Sequence, residues 1–167
     1  MHQLAYVSDF EQRGTKVCNR NHRPFLHKVK NIAIIPARGG SKRIPGKNSK
    51  EFLGKPIIAY SIELALKSRL FDEVMVSTDD EKIALIAMQY GANVPFIRSK
   101  ENAGDFATLT DVIVEVIDRY KSDGKLFENI CCILPTSPLT SGKRLREAYD
   151  KFIRENLESV LAVVAFS

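Results

Sequence analysis

The sequence is short of the residue types on which many catalytic and structural sites depend. It contains no tryptophan, and its three cysteines are too few and too badly spaced for a disulfide framework or a zinc site. All three histidines lie within the first thirty residues. Histidine-dependent catalytic triads and histidine-ligated metals are therefore excluded from the rest of the chain.

Long apolar runs are lacking as well. No run approaches about 18 residues, the length needed for a membrane span, and the N-terminus has no basic stretch followed by an apolar one, as a secretory signal would. We therefore expect no membrane association, and the few cysteines favour a reduced, cytoplasmic setting. Hydrophobic residues make up 44% of the chain and charged residues 27%, which is typical of a folded domain.

The net charge of +5 is concentrated at the N-terminus. Residues 1–30 hold six lysines and arginines against two acidic residues, a net of +4, whereas residues 31–167 hold nineteen against eighteen, a net of +1. The nearly neutral remainder argues against a nucleic-acid-binding surface. We predict that residues 1–30 form a basic flexible extension and that residues 31–167 form one domain.

Short apolar segments alternate with amphipathic ones after residue 31. The predicted strands are 32–35, 74–76, 94–97, 130–134 and 160–165, and the predicted helices start at Pro56, after a cap at 77–80, at Thr108 and at Ser141. This alternation indicates an α/β fold with a mostly parallel sheet and helices on both faces. Because the chain stops directly after a strand, we expect the domain to be incomplete at its C-terminus.

The first predicted strand leads into a basic, glycine-rich loop. Residues 38–48 contain four lysines or arginines and three glycines. In open parallel sheets ligands bind at the carboxyl ends of the strands, and glycine lets backbone N–H groups approach an anion closely. Arg38 can bind phosphate oxygens bidentately, while Lys42 and Lys47 act as point charges. The loop therefore predicts a triphosphate-binding site.

Two common phosphate-binding motifs do not fit this loop. A Walker A motif needs glycine five residues before Gly46, where Ser41 stands, and serine or threonine after Lys47, where Asn48 stands. The dinucleotide-binding pattern G-x-G-x-x-G is not met by Gly39, Gly40 and Gly46 either. The loop is a phosphate binder of another type.

Residues 34–48, Ile-Ile-Pro-Ala-Arg-Gly-Gly-Ser-Lys-Arg-Ile-Pro-Gly-Lys-Asn, resemble the N-terminal signature of the acylneuraminate cytidylyltransferases. This family comprises the CMP-sialic acid synthetases and their bacterial relatives for pseudaminic and legionaminic acid. Further similar segments follow in the family's order: 52–57, 76–79, 96–98 and 135–139. The resemblance covers residues 31–167. It implies a Rossmann-like nucleotidyltransferase fold and transfer of CMP from CTP to a nine-carbon 2-keto sugar acid, with Mg²⁺ as cofactor and release of pyrophosphate.

The resemblance also implies which residues bind the nucleotide. Arg38 and Lys47 would be the catalytic cations that neutralise the phosphates, and Asn48 would help to place the nucleotide. The whole predicted set is Ala37, Arg38, Gly39, Gly40, Ser41, Lys42, Lys47, Asn48, Arg98, Leu134, Pro135 and Thr136. Asp79, Asp105, Thr108 and Asp111 are weaker candidates, since helix capping is an alternative interpretation of all four.

The sequence departs from the family pattern at Leu134. The sialic acid branch has glutamine there, in contact with the cytosine, and leucine cannot form that hydrogen bond. Thr140 also replaces an arginine that often follows the Pro-Leu pair. The pseudaminic acid branch also lacks that glutamine, and the pair Cys131-Cys132 just before it resembles that branch. We therefore favour pseudaminic acid, with N-acetylneuraminic, legionaminic and 3-deoxy-octulosonic acid as alternative substrates.

The larger departure concerns the segments that follow the fifth strand in the family. They carry its metal-binding Asp-x-Asp motif and build its homodimer, and neither is present in this sequence. The metal ligands are therefore unknown. The alternative to an active enzyme is a truncated, non-catalytic module that binds a nucleotide.

Overall fold

The computed structural model describes residues 4–8 and 27–163. Within these ranges, seven strands and five helices follow one another. They are β1 (Leu4–Ser8), β2 (His27–Pro36), β3 (Glu51–Phe52), β4 (Lys55–Pro56), α1 (Ile57–Ser68), β5 (Glu73–Ser77), α2 (Glu81–Gln89), α3 (Lys100–Ala103), α4 (Leu109–Ser122), β6 (Lys125–Ile133), α5 (Gly142–Arg154) and β7 (Ser159–Leu161).

Five of these strands form the main sheet, in the spatial order β5-β2-β6-β1-β7. Strand β2 pairs in parallel with β5 and β6, whereas β1 pairs antiparallel with β6 and β7. Strands β5, β2, β6 and β7 therefore run in one direction and β1 runs against them. The prediction of a mostly parallel α/β sheet is confirmed, and β3 and β4 form a separate small hairpin.

Helices cover both faces of the sheet because β2 is apolar on both sides. Ala33 and Ile35 belong to a cluster with residues of α1, α2 and α5, while Ile32 and Ile34 pack with Val116 of α4. All four β2 side chains are completely buried. Such a run of buried residues is typical of a parallel strand between two layers of helices.

The cysteines of β6 are structural. Cys131 and Cys132 are both buried, and neighbouring residues of a strand point to opposite faces. Burial raises the pKa of the Cys132 thiol to about 12, so this group stays protonated at neutral pH.

The prediction of a strand at 94–97 is wrong. Within residues 93–97, only Asn93 pairs with β5. Its N–H donates to the Val74 carbonyl, and its carbonyl accepts from the Val76 N–H, each at 2.9 Å. Pro95 follows two residues later and has no N–H to donate, so the ladder does not continue. The chain runs on as irregular backbone until α3.

The N-terminal region also differs from its prediction as a wholly flexible extension. Residues 4–8 form β1, which lies between β6 and β7. Its backbone N–H and carbonyl groups pair with β6 on one side and with β7 on the other. Strand β2 begins at His27, before the predicted boundary. Residues 9–26 lie outside the described residues, and the division of the chain at residue 30 stays a prediction.

The last predicted strand is shorter in the structure. Strand β7 covers Ser159–Leu161, and residues 164–167 lie outside the described residues. Within the described ranges, no helix combines the length and the apolar character needed to cross a membrane.

Candidate functional site

Three loops meet at the edge of the sheet where the parallel strands end. The register pairs Pro36 of β2 with Ser77 of β5, and Ile34 of β2 with Cys132 of β6. The basic loop after β2, the turn after β5 and the segment after β6 therefore begin side by side. This is the position at which open α/β sheets bind their ligands.

The basic loop is held by its own ends. The Asn48 side-chain amide donates from Nδ2 to the Arg38 carbonyl at 2.9 Å, and the Asn48 carbonyl accepts from the N–H of Ile58 in α1 at 3.2 Å. Asn48 is only 3% exposed, and its Oδ1 atom is buried without a hydrogen-bond partner among the described residues. A buried carbonyl oxygen of this kind is costly unless it accepts a hydrogen bond, and the described residues supply no donor to this one.

Gly39 is fixed by the turn after β5. Its N–H donates to Asp79 Oδ1 at 2.9 Å, which means that this N–H is used within the protein and does not face an anion. A Cβ atom at Gly39 would stand 2.7 Å from Asp80 Oδ2 and 2.8 Å from Asp80 Cβ, closer than non-bonded atoms can approach. Gly39 is therefore needed for packing, whereas a Cβ at Gly40 would meet nothing within 4 Å.

Asp79 and Asp80 divide the roles that the sequence left open. Asp80, and not Asp79, caps α2: its Oδ1 accepts from the N–H groups of Lys82 at 2.8 Å and Ile83 at 3.1 Å. Asp79 instead accepts from the loop. The turn after β5 therefore joins the start of α2 to the start of the basic loop.

Arg98 binds the end of β5 at Ser77, where the same turn begins. Its side chain is buried, its Nε donates to Ser77 Oγ at 3.0 Å, and its Nη2 donates to the Ser77 carbonyl. That carbonyl also accepts from the N–H of Ala37 at 2.9 Å. Burial lowers the pKa of the Arg98 guanidinium, an effect opposed by the charges of Asp79 and Glu115.

Two of the four cations of the loop, Arg38 and Lys42, contact the carboxylate of Asp105. Arg38 Nη1 lies 3.4 Å from Asp105 Oδ1 and donates to the Gly104 carbonyl at 3.1 Å, while Lys42 Nζ pairs with Asp105 Oδ2. Lys42, which has the larger effect, and Arg38 both hold the pKa of the Asp105 carboxyl below its usual range. Lys42, Gly104 and Asp105 line an open cavity of about 440 Å³ together with residues 39–41, Pro45, Gly46 and Ala103, whereas Arg38 is not part of its lining.

Comparison with known proteins agrees with this arrangement. The sequence profile of the cytidylyltransferase family matches residues 32–164, which is most of the chain and includes all three loops. The chain belongs to the cytidylyltransferase family.

Two curated relatives illustrate the match. A pseudaminic acid cytidylyltransferase of Campylobacter jejuni is 47% identical over 138 residues, covering 83% of this chain and 60% of the relative. A CMP-N,N'-diacetyllegionaminic acid synthase of Legionella pneumophila is 40% identical over 119 residues, covering 71% of this chain and 51% of the relative. The chain thus spans about 60% or less of the length of these cytidylyltransferases.

A solved structure gives the same fold. The CMP:2-keto-3-deoxy-manno-octonic acid synthetase complexed with CTP superimposes with a TM-score of 0.62 at 26% sequence identity, over 76% of this chain and 48% of that one. The prediction of a Rossmann-like nucleotidyltransferase fold is confirmed.

The segment after β6 carries three of the predicted nucleotide-binding residues, Leu134, Pro135 and Thr136. The Leu134 carbonyl accepts from Ser61 Oγ at 2.9 Å, Pro135 is buried and Thr136 is exposed. Ser137 is 4% exposed, and its hydroxyl has no partner among the described residues. No local pattern indicated this buried hydroxyl, because its burial depends on how the segment folds back, with the Thr140 N–H donating to the Ser137 carbonyl.

Two of the weaker candidates are helix caps. Thr108 and Asp111 form a capping box at the start of α4, in which Asp111 Oδ2 accepts from the Thr108 N–H at 2.8 Å and Thr108 Oγ1 accepts from the Asp111 N–H at 3.2 Å. Asp105 takes no part in that cap.

Lys47 is exposed and does not line the cavity, so the structure brings Lys42, rather than Lys47, to Arg38.

The described residues do not form a metal centre by themselves. No three histidine, cysteine, aspartate or glutamate side chains converge among residues 31–163. A second cavity, of about 830 Å³, lies between α5 and β7 and contains none of the predicted site residues.

Proposed function

We propose that the chain carries the CTP-binding part of a cytidylyltransferase that transfers CMP to a nonulosonic acid and releases pyrophosphate. The observation that supports this most is the position of Lys42 on the wall of a cavity at the carboxyl edge of the parallel sheet, joined to Arg38 through Asp105, in a member of this family. Cations on a loop at this edge are suited to the phosphates of a nucleotide.

The chemistry needs no nucleophile from the protein. The anomeric hydroxyl of the sugar acid attacks the α-phosphorus of CTP, its proton passes to a base or to water, and the bond to pyrophosphate breaks. Such a transfer is accelerated mainly by positioning and by neutralising the charge on the phosphate oxygens. Arg38 and Lys42 would supply charge, with Lys47 as a further cation close in sequence, and Asn48 Oδ1 would accept a hydrogen bond from the nucleoside.

Pseudaminic acid is the substrate that we favour. Support comes from the higher identity to the Campylobacter pseudaminic acid enzyme, 47% against 40% for the legionaminic acid enzyme, and from Leu134 in place of the glutamine of the sialic acid branch. N-acetylneuraminic, legionaminic and 3-deoxy-octulosonic acid are the alternatives.

Mg²⁺, the homodimer and the cytoplasmic location stay predictions. Mg²⁺ commonly uses one or two carboxylates together with substrate phosphates, so a nucleotide would have to bring most of its ligands to this chain. The described residues provide no cluster that would hold the ion without the nucleotide.

The test is pyrophosphate release from CTP with each of the four sugar acids in the presence of Mg²⁺, together with calorimetric binding of CTP. We expect CTP to bind and pseudaminic acid to give the highest rate. CTP binding without turnover would support a non-catalytic nucleotide-binding module, and absence of CTP binding would refute the proposal.

An arginine pair sharpens the binding test. Arg38→Ala should weaken CTP binding about tenfold or more, because hydrogen bonds between charged groups are the strong ones. Arg43→Ala is the matched control, since it removes the same charge from an exposed position of the same loop. Equal effects of the two substitutions would show that only the net charge of the loop matters.

A further inference from the structure

We propose that Asp105 is a built-in competitor of the triphosphate: its carboxylate holds two of the four cations of the basic loop, Arg38 and Lys42, and a nucleotide must displace it to bind. The inference rests on the proposed function, since it concerns the same loop. It assigns Asp105 a role opposite to that of a nucleotide ligand.

The geometry gives each carboxylate oxygen its own cation. Oδ1 faces Arg38 Nη1 at 3.4 Å and Oδ2 pairs with Lys42 Nζ. A carboxylate placed in this way resembles two oxygens of a phosphate group in charge and spacing. Asp105 therefore satisfies the same donors that a phosphate would use.

No other task of Asp105 explains its position. Helix α4 is capped by Thr108 and Asp111, and α3 ends at Ala103, so Asp105 belongs to neither helix. Asp105 lines the cavity together with residues 39–42. It lies 67 residues from Arg38 in sequence, which means that the fold brings the two together.

The ion pairs are suited to exchange because they are exposed. The side chain of Asp105 is 41% exposed and that of Lys42 is 80% exposed, and ion pairs in water are weak. A triphosphate carries several negative charges against one on Asp105, so it can displace the carboxylate. A group with a single phosphate competes less well, and the site would therefore favour the triphosphate over a monophosphate product.

When Asp105 occupies the cations in part of the molecules, only the remaining molecules can bind the phosphate. The measured affinity is then the intrinsic affinity multiplied by the fraction of molecules whose cations are free. Asp105→Asn should therefore tighten binding of inorganic tripolyphosphate and of CTP by about threefold to tenfold. Glu101→Gln is the matched control, because it removes the same charge four residues away in α3. A similar gain in both variants would show a general effect of charge and overturn the proposal.

The Lys42→Ala background separates displacement from simple charge repulsion. If Asp105 acts by engaging Lys42, Asp105→Asn should improve tripolyphosphate binding much less when Lys42 is already alanine. An undiminished gain in that background would overturn the proposal. Asp105→Ser provides a second variant, and melting temperatures check that each protein is folded.

The outcomes distinguish this inference from the proposed function. If the parent chain binds CTP and depends on Arg38, but Asp105→Asn does not tighten binding, only the role of Asp105 fails. If neither the parent nor Asp105→Asn binds CTP or tripolyphosphate, both proposals fail.

Discussion

Substitution of Gly39 by alanine tests how the basic loop is fixed to the sheet. The added methyl group would stand 2.8 Å from Asp80 Cβ, an atom close to the backbone that a change of side-chain rotamer cannot move far. Either Asp80 or the loop must therefore shift. The two routes have different costs and different consequences for the nucleotide.

If Asp80 shifts, α2 loses its cap. Asp80 accepts two N–H groups of the first helical turn, and loss of an N-cap costs about 1 kcal/mol. If the loop shifts, the bond from the Gly39 N–H to Asp79 is lost, and a hydrogen bond to a charged group contributes about 1.5–3 kcal/mol. The free energy of unfolding should fall by about 1–3 kcal/mol in either case, which lowers the melting temperature by roughly 3–9 °C.

The assay is thermal unfolding together with calorimetric CTP binding, with Gly40→Ala as the matched control. Gly40 is the next residue of the same loop, and a Cβ there meets nothing within 4 Å, so its alanine variant should lie within about 0.5 kcal/mol of the parent. Movement of the loop should also weaken CTP binding by Gly39→Ala, by about tenfold. A stability loss with unchanged CTP binding would indicate that Asp80 gave way, and identical behaviour of the two variants would refute the reasoning.

Two further predictions concern the edge of the sheet and the nucleotide base. Removal of residues 1–8 should lower the melting temperature by about 5 °C or more, because among the described strands β7 joins the sheet only through β1. Removal of residues 1–3 is the control. Equal melting temperatures of the two truncated proteins would show that β1 does not support the sheet. Leu134→Gln should tighten CTP binding about threefold to tenfold relative to Leu134→Met, because the amide can hydrogen-bond the cytosine; equal calorimetric affinities of the two variants would place residue 134 away from the base.

Local sequence signals predicted most helices and strands correctly. Helix α4 begins where Thr108 and Asp111 provide a capping box, and α5 starts after the cap of Ser141. These signals work because the interacting groups lie three residues apart. The apolar stretch around Val94 suggested a strand for a similar local reason, but Pro95 has no N–H with which to continue the ladder that Asn93 begins beside β5.

Strand β1 could not be predicted from local signals. Its position depends on backbone partners more than 100 residues away, such as Ile133 opposite Leu4, and five residues in a polar segment show no clear alternation. The β3–β4 hairpin and the single turn of α3 were missed because segments of two to four residues carry too little periodicity.

The candidate site was predictable to the extent that it is contiguous in sequence. Residues 38–48 concentrate cations and glycines within one loop, so composition alone indicated an anion site. The carboxylates that engage this loop come from elsewhere: Asp79 is 40 residues from Gly39, and Asp105 is 67 residues from Arg38. Only the packing of β5 and the approach of the 103–105 segment bring them to the loop.

Arg98 shows how a residue outside the loop can govern it. A buried guanidinium is costly unless it donates hydrogen bonds, and Arg98 donates two of them to Ser77, whose carbonyl also accepts from Ala37 at the start of the loop. The turn that Arg98 holds continues into Asp79, which accepts from Gly39. The first residues of the loop are therefore positioned from β5, and their shape does not depend on a bound phosphate. A loop preorganised in this way loses little conformational entropy when it binds an anion, so the binding free energy goes into holding the triphosphate in one orientation.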